Sequence, residues 1–289
     1  MIRIAAIGDL HFGDDAAGTL RPRLAHLEEE ADILLLAGDL TRIGEPAEAR
    51  LLARELADVT IPTVGVLGNH DYHSGSEDEI RTILEGAGVR VVEGEGTTVD
   101  VDGTSVAVAG TKGFGGGFPG ASGSDFGEPE MKAFIGHTKH LSEQLESALR
   151  GTEGDLTLVV LHYSPIRDTL QGEPPEIYPF LGSYLLAEAI DRVGADLVVH
   201  GHAHRGIERG RTPGGVEVRN VALPVIGRSY ALYEADAAAS REATARPEPP
   251  RATRTRSTTR RSSLRPPTRA AHGGRTRCAR SALRSGSTR

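Results

Sequence analysis

Residues 33–39 read Ile-Leu-Leu-Leu-Ala-Gly-Asp, five apolar residues followed by a glycine and a carboxylate. A short, continuous apolar run of this kind is typical of a strand that is buried on both faces of a parallel sheet. Similar runs that end in polar residues occur before it at 2–9 and after it at 63–71. Helix-length amphipathic stretches at 20–30 and 45–57 separate the three runs. This order predicts a βαβαβ unit with a parallel sheet and right-handed crossovers.

The chain continues from this unit as an alternation of strands and helices up to residue 236. We predict further strands at 89–92, 97–101, 105–109, 156–161, 197–200, 216–221 and 229–234, and helices at 77–86, 129–150 and 182–193. The sequence Thr-Pro-Gly-Gly at 212–215 forms a turn, and we expect the last two strands to run antiparallel around it. An α/β fold with two sheets packed face to face and helices outside accommodates this order.

Charge is distributed unevenly along the 289 residues, whose net charge is −7. Residues 1–236 contain 19 basic and 38 acidic side chains, whereas residues 237–289 contain 14 basic and 2 acidic ones. Apart from Leu264 and Leu283, the second segment has no Val, Ile, Leu, Met, Phe, Tyr or Trp, and it cannot bury enough apolar surface to offset the entropy of ordering. We therefore predict one domain at 1–236 and a disordered basic tail at 237–289. Three interpretations of the tail stay open: electrostatic contact with nucleic acid, an inert extension, or out-of-frame translation.

Composition excludes several classes of protein. The longest apolar run, residues 33–37, is far shorter than the ~18–20 residues of a membrane-spanning helix. Residues 1–9 lack the apolar core and cleavage site of a secretory signal. The single cysteine, Cys278, lies in the tail, which excludes an intrachain disulfide and a thiolate metal site in the domain. The acidic domain argues against a nucleic-acid surface. We expect a cytoplasmic protein that acts on a small molecule away from membranes, and its oligomeric state is left open.

Polar residues follow the predicted strands at their carboxyl ends. They are Asp9 and His11 after the first strand, Asp39 after the second, Asn69, His70 and Asp71 after the third, His162 after 156–161, and His202 and His204 after 197–200. Carboxyl ends are the edge at which open α/β sheets place ligands, so residues that are distant in sequence converge there. Glycines precede several of these residues, where they allow the backbone to turn sharply.

The chemical types of this set point to metal ions. Seven of these nine residues, two Asp, one Asn and four His, supply oxygen and nitrogen ligands without sulfur, enough for two adjacent divalent cations with open positions. A carboxylate can bridge two ions because its two oxygens point apart. Such a centre can clamp the attacking and leaving oxygens of a phosphoryl displacement. A nitrogen and oxygen donor set accepts Mn, Fe or Zn, so the identity of the ions is left open.

The segments Asp9-Leu10-His11, Gly38-Asp39, Gly68-Asn69-His70-Asp71, His162 and Gly201-His202-Ala203-His204 resemble the five ordered motifs of the calcineurin-like metallophosphoesterases. The resemblance implies a four-layer α/β/β/α sandwich of two packed mixed sheets with a dinuclear site. It implies that Asp9, His11 and His204 hold the first ion. Asn69, His162 and His202 would hold the second, and Asp39 would bridge the two. His70 would contact the phosphate and assist the leaving group, and Asp71 would orient His70.

The intact Asp-x-His motif resembles the branch that includes cyclic-nucleotide phosphodiesterases. We expect a metal-dependent phosphoesterase that hydrolyses a phosphodiester, including cyclic nucleotides, by attack of a hydroxide bound between the two ions. A phosphomonoesterase or nucleotide pyrophosphatase is the alternative among enzymes, and a nuclease ranks third because the domain is acidic. The alternative from another class is a non-catalytic protein-docking scaffold. The complete donor set favours catalysis.

Other polar and aromatic residues near the motifs have two interpretations each. His73, Tyr163, Ser164 and Arg205 neighbour the predicted ligands and could touch substrate, or could be structural. The glycine-rich loop at 113–127 carries Phe114, Phe118 and Phe126 and is either a flap whose aromatics cover a substrate or a connection tucked onto the domain. We expect His200, at the end of an apolar strand, to be a buried imidazole with its hydrogen bonds satisfied.

Overall fold

The computed structural model describes residues 1–236, and its secondary structure consists of thirteen strands, seven α-helices and several short 3-10 turns. The strands are β1 (Ile2–Ile7), β2 (Ile33–Ala37), β3 (Thr63–Val66), β4 (Val89–Val91), β5 (Glu95–Val101), β6 (Thr104–Thr111), β7 (Gly117–Phe118), β8 (Ala121–Ser122), β9 (Leu156–Leu161), β10 (Leu197–His200), β11 (Arg209–Arg211), β12 (Glu217–Asn220) and β13 (Ala231–Ala235). The helices are α1 (Leu27–Glu30), α2 (Pro46–Leu56), α3 (Glu77–Gly86), α4 (Pro129–Gly151), α5 (Tyr178–Leu181), α6 (Tyr184–Val193) and α7 (Leu223–Ile226).

Two mixed sheets form the middle of the domain. The first has the strand order β13-β1-β2-β3-β4, and the second has the order β11-β12-β10-β9-β6-β5. Strands β1 to β4 run parallel, as do β6, β9, β10 and β12, whereas β13, β5 and β11 are antiparallel edges. The predicted parallel order of the first three strands is therefore confirmed, and their sheet continues into β4.

Alternating residues of each strand divide the core into three layers of apolar contact. Leu35 of β2 packs between the sheets with residues such as Leu158 of β9. Its neighbour Leu36 faces outward, into a cluster with Leu52 of α2 and with residues of α3. On the far side, outward residues of β9 and β10 pack against α4 and α6, for example at Leu186. Successive strand side chains point to opposite faces, so this gives the four-layer α/β/β/α sandwich that the resemblance implied.

Three sequence predictions need correction. The helix predicted at 20–30 is a 3-10 turn at Arg21–Leu24 followed by the single turn of α1. Its leucines are buried, but Glu55 of α2 accepts hydrogen bonds from backbone N–H groups of this segment and fixes it as separate turns. The turn at 212–215 joins β11, which was not predicted, to β12. The last strand, β13, returns to the first sheet and pairs with β1.

Periodicity assigns no element to the segment between β9 and α6. It contains two 3-10 turns and the short helix α5. The predicted tail at 237–289 lies outside the described residues. Among the helices of residues 1–236, none combines the length and apolar character needed to cross a bilayer.

Candidate metal centre

The seven predicted metal ligands converge on one edge of the sandwich. Asp9, His11, Asp39 and Asn69 follow strands of the first sheet, and His162, His202 and His204 follow strands of the second. Three groups of side chains have ligand atoms within 4.8 Å of one another: Asp9, His11 and His204; His11, Asp39 and His70; and Asp39, His162 and His202. The groups overlap at His11 and at Asp39. His70 is the member that the metal assignment did not include.

Asp9 is a buried carboxylate bound from two sides. Its Oδ1 lies 2.8 Å from Nε2 of His204, and the backbone N–H of His202 donates to both of its oxygens at 3.1 and 3.0 Å. Burial alone would raise the pKa of Asp9, but the hydrogen bond from His204 and the nearby imidazoles outweigh it and leave that pKa below its ordinary value. The same hydrogen bond raises the pKa of His204. The hydrogen bond therefore favours the protonated form of His204 and the ionised form of Asp9.

Asp39 lies between the two halves of the ligand set. Its Oδ1 is 3.3 Å from Nε2 of His162, and its Oδ2 is 3.7 Å from Nε2 of His11. The backbone N–H of His70 donates to Oδ1 at 2.8 Å. The two oxygens of this buried carboxylate thus face different histidines, as a bridging ligand requires.

Backbone carbonyls set which nitrogen of each imidazole is free. Nδ1 of His162 donates to the carbonyl of Ala37 at 3.0 Å, and Nε2 of His202 lies 3.3 Å from the carbonyl of Phe180. A carbonyl can only accept, so the lone pair of neutral His162 is on Nε2 and that of His202 is on Nδ1. Such bonds fix the tautomer and orientation of metal-binding histidines. The free Nε2 of His162 is 2.9 Å from Oδ1 of Asn69, which places two acceptors side by side.

The donor set fits divalent cations. Nε2 of His11 is buried and has no hydrogen-bond partner among the described residues, which is costly unless a cation occupies the position. Burial lowers the pKa of His11, and it lowers the pKa of His202 to about 3. Burial therefore favours the neutral form of both imidazoles, the form in which histidine binds metal.

The backbone at the ligands is strained. Among the described residues, five other than glycine have a positive φ, and four of them are predicted ligands: Asp9 at 58°, His11 at 43°, Asp39 at 49° and His202 at 69°. Left-handed backbone conformations in residues with a Cβ persist only where the surrounding structure enforces them. The surrounding structure therefore enforces the backbone conformation of these four ligands.

Two glycines are needed because no Cβ fits at their positions. From the sequence, we expected them to allow a sharp turn of the backbone, and this corrects that expectation. A Cβ added at Gly68 would lie 2.1 Å from Oδ1 of Asp39, and one added at Gly201 would lie 2.3 Å from Oδ2 of Asp9. Neither glycine has a positive φ. Any side chain at these positions would displace a carboxylate of the centre.

Asp71 does not orient His70, and that prediction is wrong. Its buried carboxylate accepts hydrogen bonds from the backbone of Leu40 at 3.1 Å, Thr41 at 2.7 Å and Gly68 at 2.7 Å, and from the Thr41 hydroxyl at 2.5 Å. The ring of His70 is held instead by the carbonyl of Arg42, 2.6 Å from Nδ1. Asp71 therefore ties the loop after β2 to the loop after β3. The partner of His70 is a backbone carbonyl, which every residue has. No pattern of side chains in the sequence could therefore reveal what orients His70.

The other candidates divide into structural and exposed residues. His200 is fully buried, its Nε2 lies 2.8 Å from the Thr169 hydroxyl, and burial lowers its pKa to about 4, as expected for a satisfied core imidazole. Ser164 is also buried and donates to the carbonyl of Ile166 at 2.7 Å, which makes it structural. His73 and Arg205 are exposed beside the ligand loops. Their contact with substrate stays a prediction.

The glycine-rich loop at 113–127 is packed onto the domain over its first half. Phe118 is buried, Phe114 is half-buried between neighbouring rings, and Phe126 is exposed. Phe180 of α5 has an exposed ring, and its backbone carbonyl contacts His202. Sequence reasoning missed Phe180 because its segment has no apolar period.

Comparison with known proteins agrees with this geometry. Residues 2–206 match the family model described as calcineurin-like phosphoesterase. The match spans well over half of the chain and includes every predicted ligand. The chain belongs to the calcineurin-like phosphoesterase family, a family of metal-dependent hydrolases that act on phosphoesters.

Two similar proteins illustrate the match. A probable cyclic nucleotide phosphodiesterase from a Synechococcus species is 35% identical over 80 residues, which is 24% of this chain and 31% of that protein. The aligned region thus spans about a third of the relative's length. The crystal structure of a phosphopantetheinyl hydrolase from Mycobacterium tuberculosis superposes with a TM-score of 0.57 at 17% identity, covering 81% of this chain and 96% of that one. This second likeness concerns the fold alone.

Proposed function

We propose that this chain hydrolyses a phosphodiester at a centre of two divalent metal ions. The observation that carries the proposal is the position of Asp39, whose two oxygens face His162 on one side and His11 on the other. A carboxylate shared in this way is the feature that distinguishes a two-ion centre from a single site.

Contacts among the side chains support a division of the ligands between two ions. We assign Asp9, His11 and His204 to the first ion and Asn69, His162 and His202 to the second, with Asp39 shared. The donors are nitrogen and oxygen, so Mn, Fe and Zn are the candidate ions. When bound, the two ions generate a nucleophile from water and neutralise negative charge on the phosphate.

His70 is the candidate catalytic residue of the chain itself. Its ring is half-buried, Nδ1 is occupied by the Arg42 carbonyl, and Nε2 points toward the centre, 3.9 Å from Oδ2 of Asp39. A protonated Nε2 in this position holds a proton for the departing oxygen of the substrate. The carbonyl of Arg42 keeps the ring in that orientation, and Asn69, the residue before His70, is left to bind metal.

A small phosphodiester, including a cyclic nucleotide, is the substrate class that we favour. The named activity of the Synechococcus relative and the intact Asp9-x-His11 motif support a diester. The excess of acidic residues in 1–236 would repel a long polyanion, so a small phosphoester is favoured over nucleic acid.

The test combines metal analysis with a substrate panel. We expect purified protein to contain up to two equivalents of Mn, Fe or Zn and to hydrolyse bis(p-nitrophenyl) phosphate or a cyclic nucleotide faster than the matching monoester. Chelation should abolish the activity, and readdition of metal should restore it. Preference for the monoester or for a nucleotide pyrophosphate would replace the diester assignment. Two bound ions without turnover of any ester would favour a docking scaffold.

A further inference from the structure

A row of aromatic rings begins at His202 of the candidate metal centre. The ring centroid of His202 is 4.2 Å from that of Tyr163, and the row continues to Phe114 at 5.8 Å. Phe134 follows at 5.0 Å from Phe114, and Phe180 follows at 6.4 Å from Phe134. We call these five rings the aromatic row.

Phe180 ends the row as an exposed ring beside a predicted ligand. Its side chain is 61% exposed, whereas Tyr163 is buried and Phe114 and Phe134 are half-buried. Its carbonyl oxygen is 3.3 Å from Nε2 of His202, so the backbone of Phe180 contacts a predicted metal ligand. An exposed phenylalanine forgoes the roughly 1.5–3 kcal/mol that its burial would contribute to folding.

The glycine-rich loop holds Phe180 in this position. The backbone N–H of Gly116 donates to the carbonyl of Pro179 at 2.7 Å, and that of Gly117 donates to the carbonyl of Gly182 at 2.9 Å. A Cβ added at Gly115 would lie 2.6 Å from the Pro179 oxygen and 3.2 Å from Cα of Phe180. The loop therefore fits closely against the turn that carries the ring, and a backbone fixed in advance reduces the entropy that the segment loses when it binds a ligand.

We propose that the exposed face of Phe180 stacks on the nucleobase of the substrate while the phosphate lies at the metal centre. This inference rests on the proposed function and assigns it a specificity residue. Planar bases stack on aromatic side chains whatever their hydrogen-bonding edges. Phe180 would then select nucleoside phosphoesters over esters of the same charge without a base.

A binding measurement tests the proposal without turnover. The probes are AMP and ribose 5-phosphate, which share the sugar and the phosphate and differ by the base. Titration calorimetry on the metal-loaded full chain should give AMP a Kd roughly 10- to 100-fold lower than ribose 5-phosphate, the range expected for one stacked base.

Three variants make the test specific. Phe180→Ala should weaken AMP binding to the level of ribose 5-phosphate and leave ribose 5-phosphate unchanged, whereas Phe180→Tyr should keep the preference. Phe126→Ala is the matched control, because Phe126 is 85% exposed on a different segment of the chain, and its loss should change neither Kd. Equal weakening of both probes in Phe180→Ala would overturn the proposal, since it would trace the effect to the His202 contact. Unchanged AMP binding in that variant would overturn it as well.

The proposed function can fail separately from this inference. If no ester is hydrolysed but the preference for AMP depends on Phe180, the stacking site stands and the catalytic proposal fails. If diesters are hydrolysed and AMP has no advantage over ribose 5-phosphate, the reverse holds.

Discussion

Replacement of Asp71 by asparagine should destabilise the domain rather than merely slow catalysis. The carboxylate accepts four hydrogen bonds, two at each oxygen, and the residue is fully buried. In Asp71→Asn, an NH2 group must face one of these pairs of donors. The less costly orientation places it toward Thr41, because the hydroxyl can then accept, and this leaves the Thr41 N–H without a partner.

The size of the effect follows from these contacts. One orphaned buried N–H costs about 1–3 kcal/mol, and the two bonds that remain lose the added strength of a charged acceptor. We expect the free energy of unfolding to fall by about 2–4 kcal/mol. With a urea m-value of about 3 kcal/mol/M, the unfolding midpoint of the metal-free protein should fall by about 1 M.

Metal affinity should fall as well, because Asp71 connects the loops that carry Asp39 and Asn69. Loss of an outer hydrogen bond typically costs about 10- to 100-fold in metal affinity. Asp58→Asn is the control, since Asp58 is an exposed partner of Arg21 and its loss should cost less than about 1 kcal/mol. If Asp71→Asn matches this control in unfolding and metal affinity but loses kcat, the reasoning is refuted and Asp71 acts on the chemistry.

Three further predictions follow from the site and from a nearby carboxyl. Asp39→Ala should lower the content of both ions, whereas Asn69→Ala should lower mainly one, as measured by elemental analysis after desalting. His70→Ala should keep both ions and lose roughly 10²- to 10⁴-fold in kcat, with a smaller loss for nitrophenyl esters, whose leaving groups need little protonation. Burial raises the pKa of Glu93 from 4.5 to about 7, so the folded state holds this proton more tightly than the unfolded chain does. The resulting stability is present below pH 4.5 and is lost as pH rises to 7, by at most about 3 kcal/mol, and Glu93→Gln should flatten this part of the urea-unfolding profile.

Specific outcomes would contradict these expectations. Equal, undiminished metal content in Asp39→Ala and Asn69→Ala would refute the shared carboxylate. Loss of metal in His70→Ala would make His70 a ligand, in line with its proximity to His11 and Asp39. A difference between wild type and Glu93→Gln that does not vary with pH would show that Glu93 does not titrate in this window.

The convergence of the ligands could be predicted because each one directly follows a buried strand. Continuous apolar runs such as 33–37 mark a parallel sheet, and parallel strands end at a common edge. This logic located Asp9, Asp39 and His162 without any knowledge of their contacts. It depends on the spacing of apolar residues and on the order of the strands along the chain, and both can be read directly from a sequence.

The parts that could not be predicted depend on backbone atoms and on close approach. A backbone carbonyl orients His70. Gly68 is required because an added Cβ would lie 2.1 Å from a carboxylate oxygen of Asp39. The segment that carries Phe180 has no apolar period, because short turns packed against a loop satisfy no helical or strand repeat. The leucines of 20–30 have helical spacing, but separate turns bury the same side chains.

The left-handed backbone at Asp9, His11, Asp39 and His202 lowers the stability of the fold at the residues predicted to bind metal. Each such residue costs on the order of 1 kcal/mol that a glycine would not incur. Exchanging a ligand for glycine would therefore relieve the backbone and remove a metal contact in one step. A laboratory evolution experiment that rewards heat resistance alone would tend to accumulate those exchanges, and one intended to preserve turnover must include metal in the screen.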